Sequence, residues 1–188
     1  MGTEAEILPV LHGRIARSLV SIASSTLHWF RLTRAYSCNI VPALHIRYSA
    51  MNRSDLQHLA RTRLRDAKVL FDNRRYEAAY YLLGYAVECA FKAYIAKQTK
   101  RHDFPDWKFV KDIYTHDLNK LLSLSGLEAE YRKESSRNPD FELNWTIVKD
   151  WSERARYVGG VSRAKSKDFR SAVVSRKTGI FPWLQKHW

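Results

Sequence analysis

The chain lacks the features of several common protein classes. Its 188 residues contain only two cysteines, Cys38 and Cys89, which are too few for a disulfide framework or a cysteine-based zinc site. No apolar run reaches the roughly 18 residues that a membrane-spanning helix requires. There is also no glycine-rich phosphate loop and no His-Glu-x-x-His segment, which argues against P-loop enzymes and zinc peptidases. We therefore predict a cytoplasmic protein with no metal, no cofactor and no membrane contact.

Acidic residues are scarce relative to basic ones. Lysine and arginine number 32 against 19 aspartates and glutamates, so the formal net charge is +13. Such a charge favours polyanionic partners, because basic side chains attract a phosphate backbone and displace its counterions. The alternative is a solvated basic surface with no dedicated partner. Composition does not show whether the charge is clustered, and both interpretations stay open.

Residues 1–50 differ in composition from the rest of the chain. They contain five arginines but no lysine and only two acidic residues. One interpretation is an arginine- and serine-rich targeting leader. Another is a genuine extension with an amphipathic helix near residues 15–32. The third, which we favour, is that translation begins at Met51, since that methionine leads directly into a helix start. We expect 1–50 to be disordered or partly helical and weakly packed.

After Met51 the apolar residues recur at three- and four-residue steps, as in α-helices, and no strand-like alternation appears. Ser54 with Gln57 has the spacing of a capping box and predicts that a first helix starts there and ends near residues 72–73. A second helix is predicted from about Arg75 to Lys100. It is apolar on nearly every side, which suits the centre of a bundle or a dimer seam.

Gly84 lies in the middle of this second helix. Glycine in a helix interior costs about 1 kcal/mol relative to alanine. A close approach by a neighbouring helix would offset that cost, and we predict one at this position.

The remaining segments are shorter. Residues 101–114 are expected to form a loop, and Thr115 is expected to cap a short helix that ends at Gly126. Further helical stretches are predicted over 127–135, 141–157 and 166–178, with an interruption at Gly179 and Pro182. The predicted fold class is all-α, an up-and-down bundle of four to five helices that occupies residues 51–188.

Three segments resemble the HEPN family of small helical proteins associated with nucleotides and RNA. Tyr114-Thr115-His116-Asp117-Leu118 looks like the His-Asp-Leu segment of a common prokaryotic branch. Glu153-Arg154-Ala155-Arg156-Tyr157 looks like its Ala-Arg-Tyr segment, and Glu88 to Lys92 looks like its central-helix Glu/Lys signature. The resemblance covers roughly Asp55 to the C-terminus.

The resemblance implies a HEPN-like helical bundle that forms homodimers packed through helices. Members of this branch often accompany a minimal nucleotidyltransferase, and such a pair resembles a toxin–antitoxin or nucleotide-sensing module. The implied partners are therefore a second copy of the chain, a minimal nucleotidyltransferase, and RNA or a nucleotide.

Six residues are candidates for a nucleotide- or RNA-binding groove. An arginine, a lysine and a stacking tyrosine suit a phosphate and a base. Each candidate also has a structural interpretation. The histidine can cap or pack at a helix start, and the aspartate can be an ordinary acid in the first turn of a helix. The Arg-Tyr pair can clamp the bundle with the ring buried, and the Glu/Lys pair can be an ordinary surface ion pair. The six are Glu88, Lys92, His116, Asp117, Arg156 and Tyr157.

Catalysis is a separate question, and whether the protein is an enzyme is left uncertain. HEPN ribonucleases typically carry an Arg-x(4–6)-His motif. Arg53 and His58 match it literally, but in the first helix, and we treat this match as coincidence. His116 is preceded at that spacing only by Lys111.

If the protein is an enzyme, we expect a metal-independent endoribonuclease with a degenerate motif. His116 would be the catalytic acid or base, and Arg156 or Lys111 would hold the phosphate. A non-catalytic helical interaction or dimerisation module is the third possibility.

Overall fold

The computed structural model describes residues 51–99, 106–157 and 159–188, and the predictions made for residues 1–50 lie outside them. Within them the chain is helical and has no strand, which confirms the all-α class. None of these helices is both long and apolar enough to cross a membrane. The helices are α1 (Arg53–Asp72), α2 (Tyr76–Gln98), α3 (Trp107–Ile113), α4 (Leu118–Ser125), α5 (Glu128–Arg137), α6 (Pro139–Val148), a 3-10 helix (Glu153–Arg156), α7 (Arg163–Val174) and α8 (Ile180–His187).

The first helix begins two residues earlier than the sequence suggested. Asn52 is the N-cap, and its side-chain oxygen accepts from the backbone N–H of Asp55 at 3.1 Å. The Asp55 carboxylate in turn accepts from the backbone N–H of Asn52 at 3.0 Å. Ser54 and Gln57 have suitable spacing but lie inside the helix, because asparagine caps as well as serine does.

The second helix is the centre of the described fold. It buries 12 of its 23 residues, and it contacts α1, α4, α7, α8 and the 3-10 helix. This arrangement agrees with a helix that is apolar on most sides. The first and second helices form an antiparallel pair joined by a tight turn in which Arg74 has a positive φ of 61°.

Gly84 is closely approached, as predicted, but by a side chain and not by a helix backbone. The indole of Trp151 lies directly over it, and a Cβ at this position would overlap the ring. Trp151 is 3% exposed. The absence of a side chain at Gly84 therefore makes room for a buried tryptophan ring.

Three predicted boundaries were wrong for local reasons. Residues 107–113 form a helix instead of a loop, because the Asp106 side chain caps its first turn. Asp117, and not Thr115, is the N-cap of α4. The long helix predicted over 141–157 ends at Val148, so that the chain can turn and place Trp151 in the core.

The helix predicted over 166–178 is displaced toward the N-terminus, to Arg163–Val174, and Pro182 lies within the last helix instead of interrupting it. The glycines Gly126 and Gly179 end or interrupt helices as predicted. Gly126 ends α4 in the left-handed conformation, with φ 70°. Gly179 separates α7 from α8 and is the N-cap of α8, which accommodates Pro182 in its first turn. The helical segments of the described residues are therefore more numerous and shorter than a bundle of four to five helices.

Candidate functional site

Glu88 lies at the centre of a charged cluster on α2. Its side chain is 2% exposed, and both carboxylate oxygens are engaged. Lys92 Nζ donates to Oε1 at 2.7 Å, from the next turn of the same helix. His116 Nδ1 lies 2.9 Å from Oε2, and it belongs to the segment just before α4. Two of the three segments that carry the HEPN resemblance therefore meet at this carboxylate.

The burial of Glu88 decides between the two interpretations of the Glu/Lys pair. A carboxylate removed from water must be paired and hydrogen-bonded, because its desolvation is otherwise very costly. The side chains of Lys92 and His116 are 20% and 44% exposed. The pair is thus a buried acid covered by two more exposed nitrogen groups, and not a surface ion pair.

The contact with Glu88 also orients the His116 ring. An ionised carboxylate only accepts hydrogen bonds, so Nδ1 must carry the hydrogen that it donates. In the neutral imidazole Nε2 is then the acceptor, and the ring can take up a proton there. His116 is consequently not only the packing residue that its position before a helix suggested.

An apolar cavity of about 470 Å³ adjoins this cluster. Its volume lies within the range of small-molecule pockets, about 300–1,000 Å³, which are typically apolar with a few convergent polar groups. Here the polar groups are Glu88, Lys92 and His116. The walls come from α1, α2 and α3 and include Leu56, Leu59, Tyr85, Cys89, Ile95, Val110, Ile113 and Tyr114.

Cys89 lines the cavity but is not activated. It is 2% exposed, and burial, followed by the negative charge of Glu88, raises the pKa of its thiol to about 12. A thiol with such a pKa carries almost no thiolate at neutral pH. In this position Cys89 acts as a small buried hydrophobic residue.

Asp117 has a structural task as the cap of α4. Its Oδ1 accepts from the backbone N–H groups of Asn119 at 2.8 Å and Lys120 at 3.2 Å. It also lines, with His116, a second and more polar recess of about 280 Å³ that includes Lys149. The His116 ring thus lies between an apolar cavity and a polar recess, and Asp117 fixes the start of the helix that follows it.

Arg156 and Tyr157 lie apart from the cluster. They line a third recess, with Glu77 and Tyr81 from the first turns of α2. The Arg156 guanidinium carbon lies 4.7 Å from the centroid of the Tyr157 ring. That ring is 78% exposed, so it is not the buried clamp considered above. Of the six candidate residues, Glu88, Lys92 and His116 are in contact, Asp117 follows His116 and caps α4, and Arg156 and Tyr157 line this separate recess.

The literal Arg-x4-His match lies elsewhere too. His58 faces Thr62 one turn along α1, with 3.5 Å between Nε2 and Oγ1. Neither Arg53 nor His58 is among the residues that line the cavity. Within 51–99, 106–157 and 159–188, no group of three histidine, cysteine or acidic side chains is placed to hold a metal ion.

The sequence reasoning did not identify the cavity walls as part of the site. Tyr85 and Ile95 lie three residues before Glu88 and three residues after Lys92, so all four lie along one side of α2. Burial raises the pKa of the Tyr85 hydroxyl. The apolar positions that flank the Glu/Lys pair at helical spacing were the available signal.

No protein-family model, curated protein or solved structure matches this chain.

Proposed function

We propose that this chain is a HEPN-like protein that binds a nucleotide or RNA. The observation that carries the proposal is the buried Glu88, with Lys92 and His116 over it, at one side of an apolar cavity. The Lys92 ammonium has three N–H donors and uses one on Glu88, so two remain for a phosphate. The apolar wall suits a base or another flat ring.

The family proposal is supported by the contact between two of its segments. The central-helix Glu/Lys signature and the His-Asp-Leu segment are 28 residues apart in sequence, yet Glu88 and His116 are hydrogen-bonded. The finer architecture, a HEPN-like bundle that forms a homodimer and acts beside a minimal nucleotidyltransferase in a toxin–antitoxin or nucleotide-sensing module, belongs to the same proposal.

The binding proposal is tested by calorimetric titration of the full chain with mononucleotides and with a single-stranded RNA. Lys92→Met and His116→Gln are compared with Lys133→Met, an exposed lysine on α5. We expect Lys92→Met to weaken binding at least tenfold and the α5 control to leave it unchanged. Because Lys92→Met also disturbs a buried charge, circular dichroism must show that it is folded, and His116→Gln provides a milder change at the same place.

Equal affinities for native, site and control proteins would place the binding site elsewhere. Absence of binding of every nucleotide and RNA at low salt would contradict the proposed function. It would favour the non-catalytic interaction module, for which the next measurement is the oligomeric state by light scattering.

A metal-independent endoribonuclease is the second candidate, and the Glu88–His116 contact favours it. With Nδ1 held by Glu88, Nε2 of His116 can remove the proton of a ribose 2′-hydroxyl. The 2′-oxygen then bonds to the adjacent phosphorus as the bond to the 5′-oxygen breaks, and the same imidazolium returns the proton to that oxygen. The products are a 2′,3′-cyclic phosphate and a free 5′-hydroxyl.

Cleavage is tested on a gel, in the presence of a chelator that removes divalent cations. His116→Ala should abolish it, and Glu88→Gln should slow it because the ring loses the carboxylate that orients Nδ1. Unchanged cleavage by His116→Ala would exclude His116 as the catalytic residue.

A further inference from the structure

The positive charge of the described residues is unevenly distributed. Residues 163–188 contain seven basic residues and a single acidic one, Asp168. By contrast, α5 (Glu128–Arg137) carries three acidic and three basic residues. The net charge is therefore concentrated at the C-terminal end of the chain, which the total of +13 did not reveal.

Two arginines cross between α1 and the C-terminal helices, each seated on an aromatic ring. The guanidinium carbon of Arg61, on α1, lies 5.1 Å from the centroid of the Trp188 ring. The guanidinium carbon of Arg170, on α7, lies 5.0 Å from the centroid of the Phe71 ring, at the far end of α1. These two side-chain contacts connect α1 to the C-terminal part of the chain.

Two more cations share the Arg170 side of α7. The buried positions of this helix are Ser166, Phe169, Ala172 and Val173. Arg163 and Lys167 precede Arg170 by seven and three residues and are exposed, so the three lie along one side of the helix. We refer to Arg61, Arg163, Lys167 and Arg170 together as the basic seam.

No cation of the basic seam forms an ion pair among the described residues, although Arg170, after the hydrogen bond from Lys68, helps to hold the pKa of Asp72 below its ordinary value. None of the four has a carboxylate oxygen within 4.0 Å among those residues, whereas the neighbouring Lys68 is paired with Asp72 at 2.7 Å. A guanidinium stacked on a ring keeps its N–H edges free to donate, and it is fixed in orientation. Such a group is well prepared to receive a phosphate oxygen.

We infer that the basic seam binds the phosphodiester backbone of single-stranded RNA, at a place separate from the Glu88 cavity. The inference rests on the proposed function, since it assumes that RNA is the polyanion. Single strands are favoured over duplexes because cations that track a backbone are here combined with two oriented guanidinium planes, those of Arg61 and Arg170, on which unpaired bases can stack.

The test is the salt dependence of binding of a labelled single-stranded RNA to the full chain. The seam variant is Arg61→Gln with Arg170→Gln. The matched control, Arg132→Gln with Arg137→Gln, removes the same charge from exposed positions of α5. Each lost phosphate contact lowers the magnitude of the slope of log K against log salt by about 0.7. We therefore expect a decrease of about 1.4 for the seam variant and no change for the control.

A third variant separates contact with phosphate from packing on the rings. Arg61→Lys with Arg170→Lys retains the charge but changes the shape of both side chains, and it should retain most of the slope. Equal slopes for seam and control variants would overturn the inference, because the effect would then be one of total charge. If the lysine variant also has a reduced salt-dependence slope, the inference is overturned as well. The role of Arg61 and Arg170 would then be to pack on the rings and not to contact phosphate.

Failure of the inference is distinguishable from failure of the proposed function. RNA binding lost in Lys92→Met but unaffected in the seam variant would leave the Glu88 site standing and would overturn the seam. The opposite result is a reduced slope in the seam variant, no mononucleotide binding by the native protein, and native-like RNA binding by Lys92→Met. It would retain the seam and reject the Glu88 cavity as the binding site. If the native chain binds no RNA at low salt, the seam inference is overturned outright.

Discussion

The first two helices of the described structure carry ion pairs that look alike in sequence and in geometry. Lys68 and Asp72 on α1 are four residues apart, and so are Glu88 and Lys92 on α2. In both pairs the nitrogen lies 2.7 Å from a carboxylate oxygen. The side chains of the α1 pair are 65% and 48% exposed, whereas Glu88 on α2 is 2% exposed.

The comparison shows that the spacing of two charged residues along a helix determines whether they make contact. How deeply they are buried determines how much that contact contributes to stability. In water an exposed pair contributes about 0–1 kcal/mol, because solvent and salt screen it. Removing one partner of a buried pair costs roughly 3–5 kcal/mol, because a charge is left without compensation. The same four-residue step is therefore almost dispensable on α1 and essential on α2.

The largest expected effect comes from breaking both pairs in the same way. Lys92→Met should lower the free energy of unfolding by about 3 kcal/mol, at the lower end of the range for buried pairs because His116 still contacts Glu88. Lys68→Met, the matched control, should lower it far less, because solvent and salt screen the exposed pair. Urea unfolding measures both, and similar losses would contradict the contrast between the helices.

A substitution in α2 that alters no charge tests the packing around the buried pair. Gly84→Ala adds a methyl group where the Trp151 ring already lies. Overpacking of this kind costs about 1–3 kcal/mol, against a gain in helix propensity of about 1 kcal/mol. We expect a net loss of stability by thermal unfolding, together with a change in tryptophan fluorescence.

Gly159→Ala is the control for this change, because the nearest atom to a Cβ there is 3.7 Å away, at Glu77 Oε1. It should be nearly neutral. A stabilising Gly84→Ala would show that helix propensity outweighs the close approach of Trp151.

Alkylation of Cys89 tests the burial of this part of α2 without altering Glu88 or Lys92. Burial and the neighbouring Glu88 raise the pKa of Cys89 to about 12. At about pH 8 its thiolate fraction is then roughly a thousandfold below that of an ordinary cysteine. In a Cys38→Ser variant, iodoacetamide should label Cys89 only after unfolding in urea, as followed by mass spectrometry. Rapid labelling of the native protein would mean that the thiol is accessible.

The smallest effect is expected from acid titration of the exposed pair. The hydrogen bond from Lys68 holds the pKa of Asp72 below its ordinary value of 3.8. Its contribution to stability is thus present above pH 3.8 and is lost as the pH falls through the lower folded-state value. Asp72→Asn should slightly flatten the acid side of the stability curve, measured by urea unfolding from about pH 5 to about pH 2. An unchanged curve would show that the Lys68–Asp72 pair makes no measurable contribution to stability.

The local features of the fold were largely predictable. The apolar character of α2 indicated a central helix, the mid-helix glycine indicated a close neighbour, and Gly126 indicated the end of α4. Where the prediction was wrong, two local signals competed. Asn52 and Ser54 are both good N-caps, and so are Asp117 and Thr115, and only the path of the chain selects between such neighbours.

The candidate site was predictable in part. The contact between Glu88 and Lys92 follows from helix periodicity, but the approach of His116 depends on how the segment before α4 packs against α2. The recess that holds Arg156 and Tyr157 depends on the turn after Val148, where Trp151 enters the core. The position of His116 and the shape of this recess both depend on contacts between segments far apart in the sequence. The periodicity of a single helix does not predict such contacts.

By itself the sequence determined the helical class, the central position of α2 and the four-residue contact between Glu88 and Lys92, since these depend on the repeat of a single helix. Only the tertiary structure decided that Glu88 is buried while Asp72 is solvated, that His116 joins the pair, and that Arg61 and Arg170 stack on rings from other helices. Burial and the local strength of charge interactions depend on residues far away in the chain, and those neighbours are set when the helices pack together.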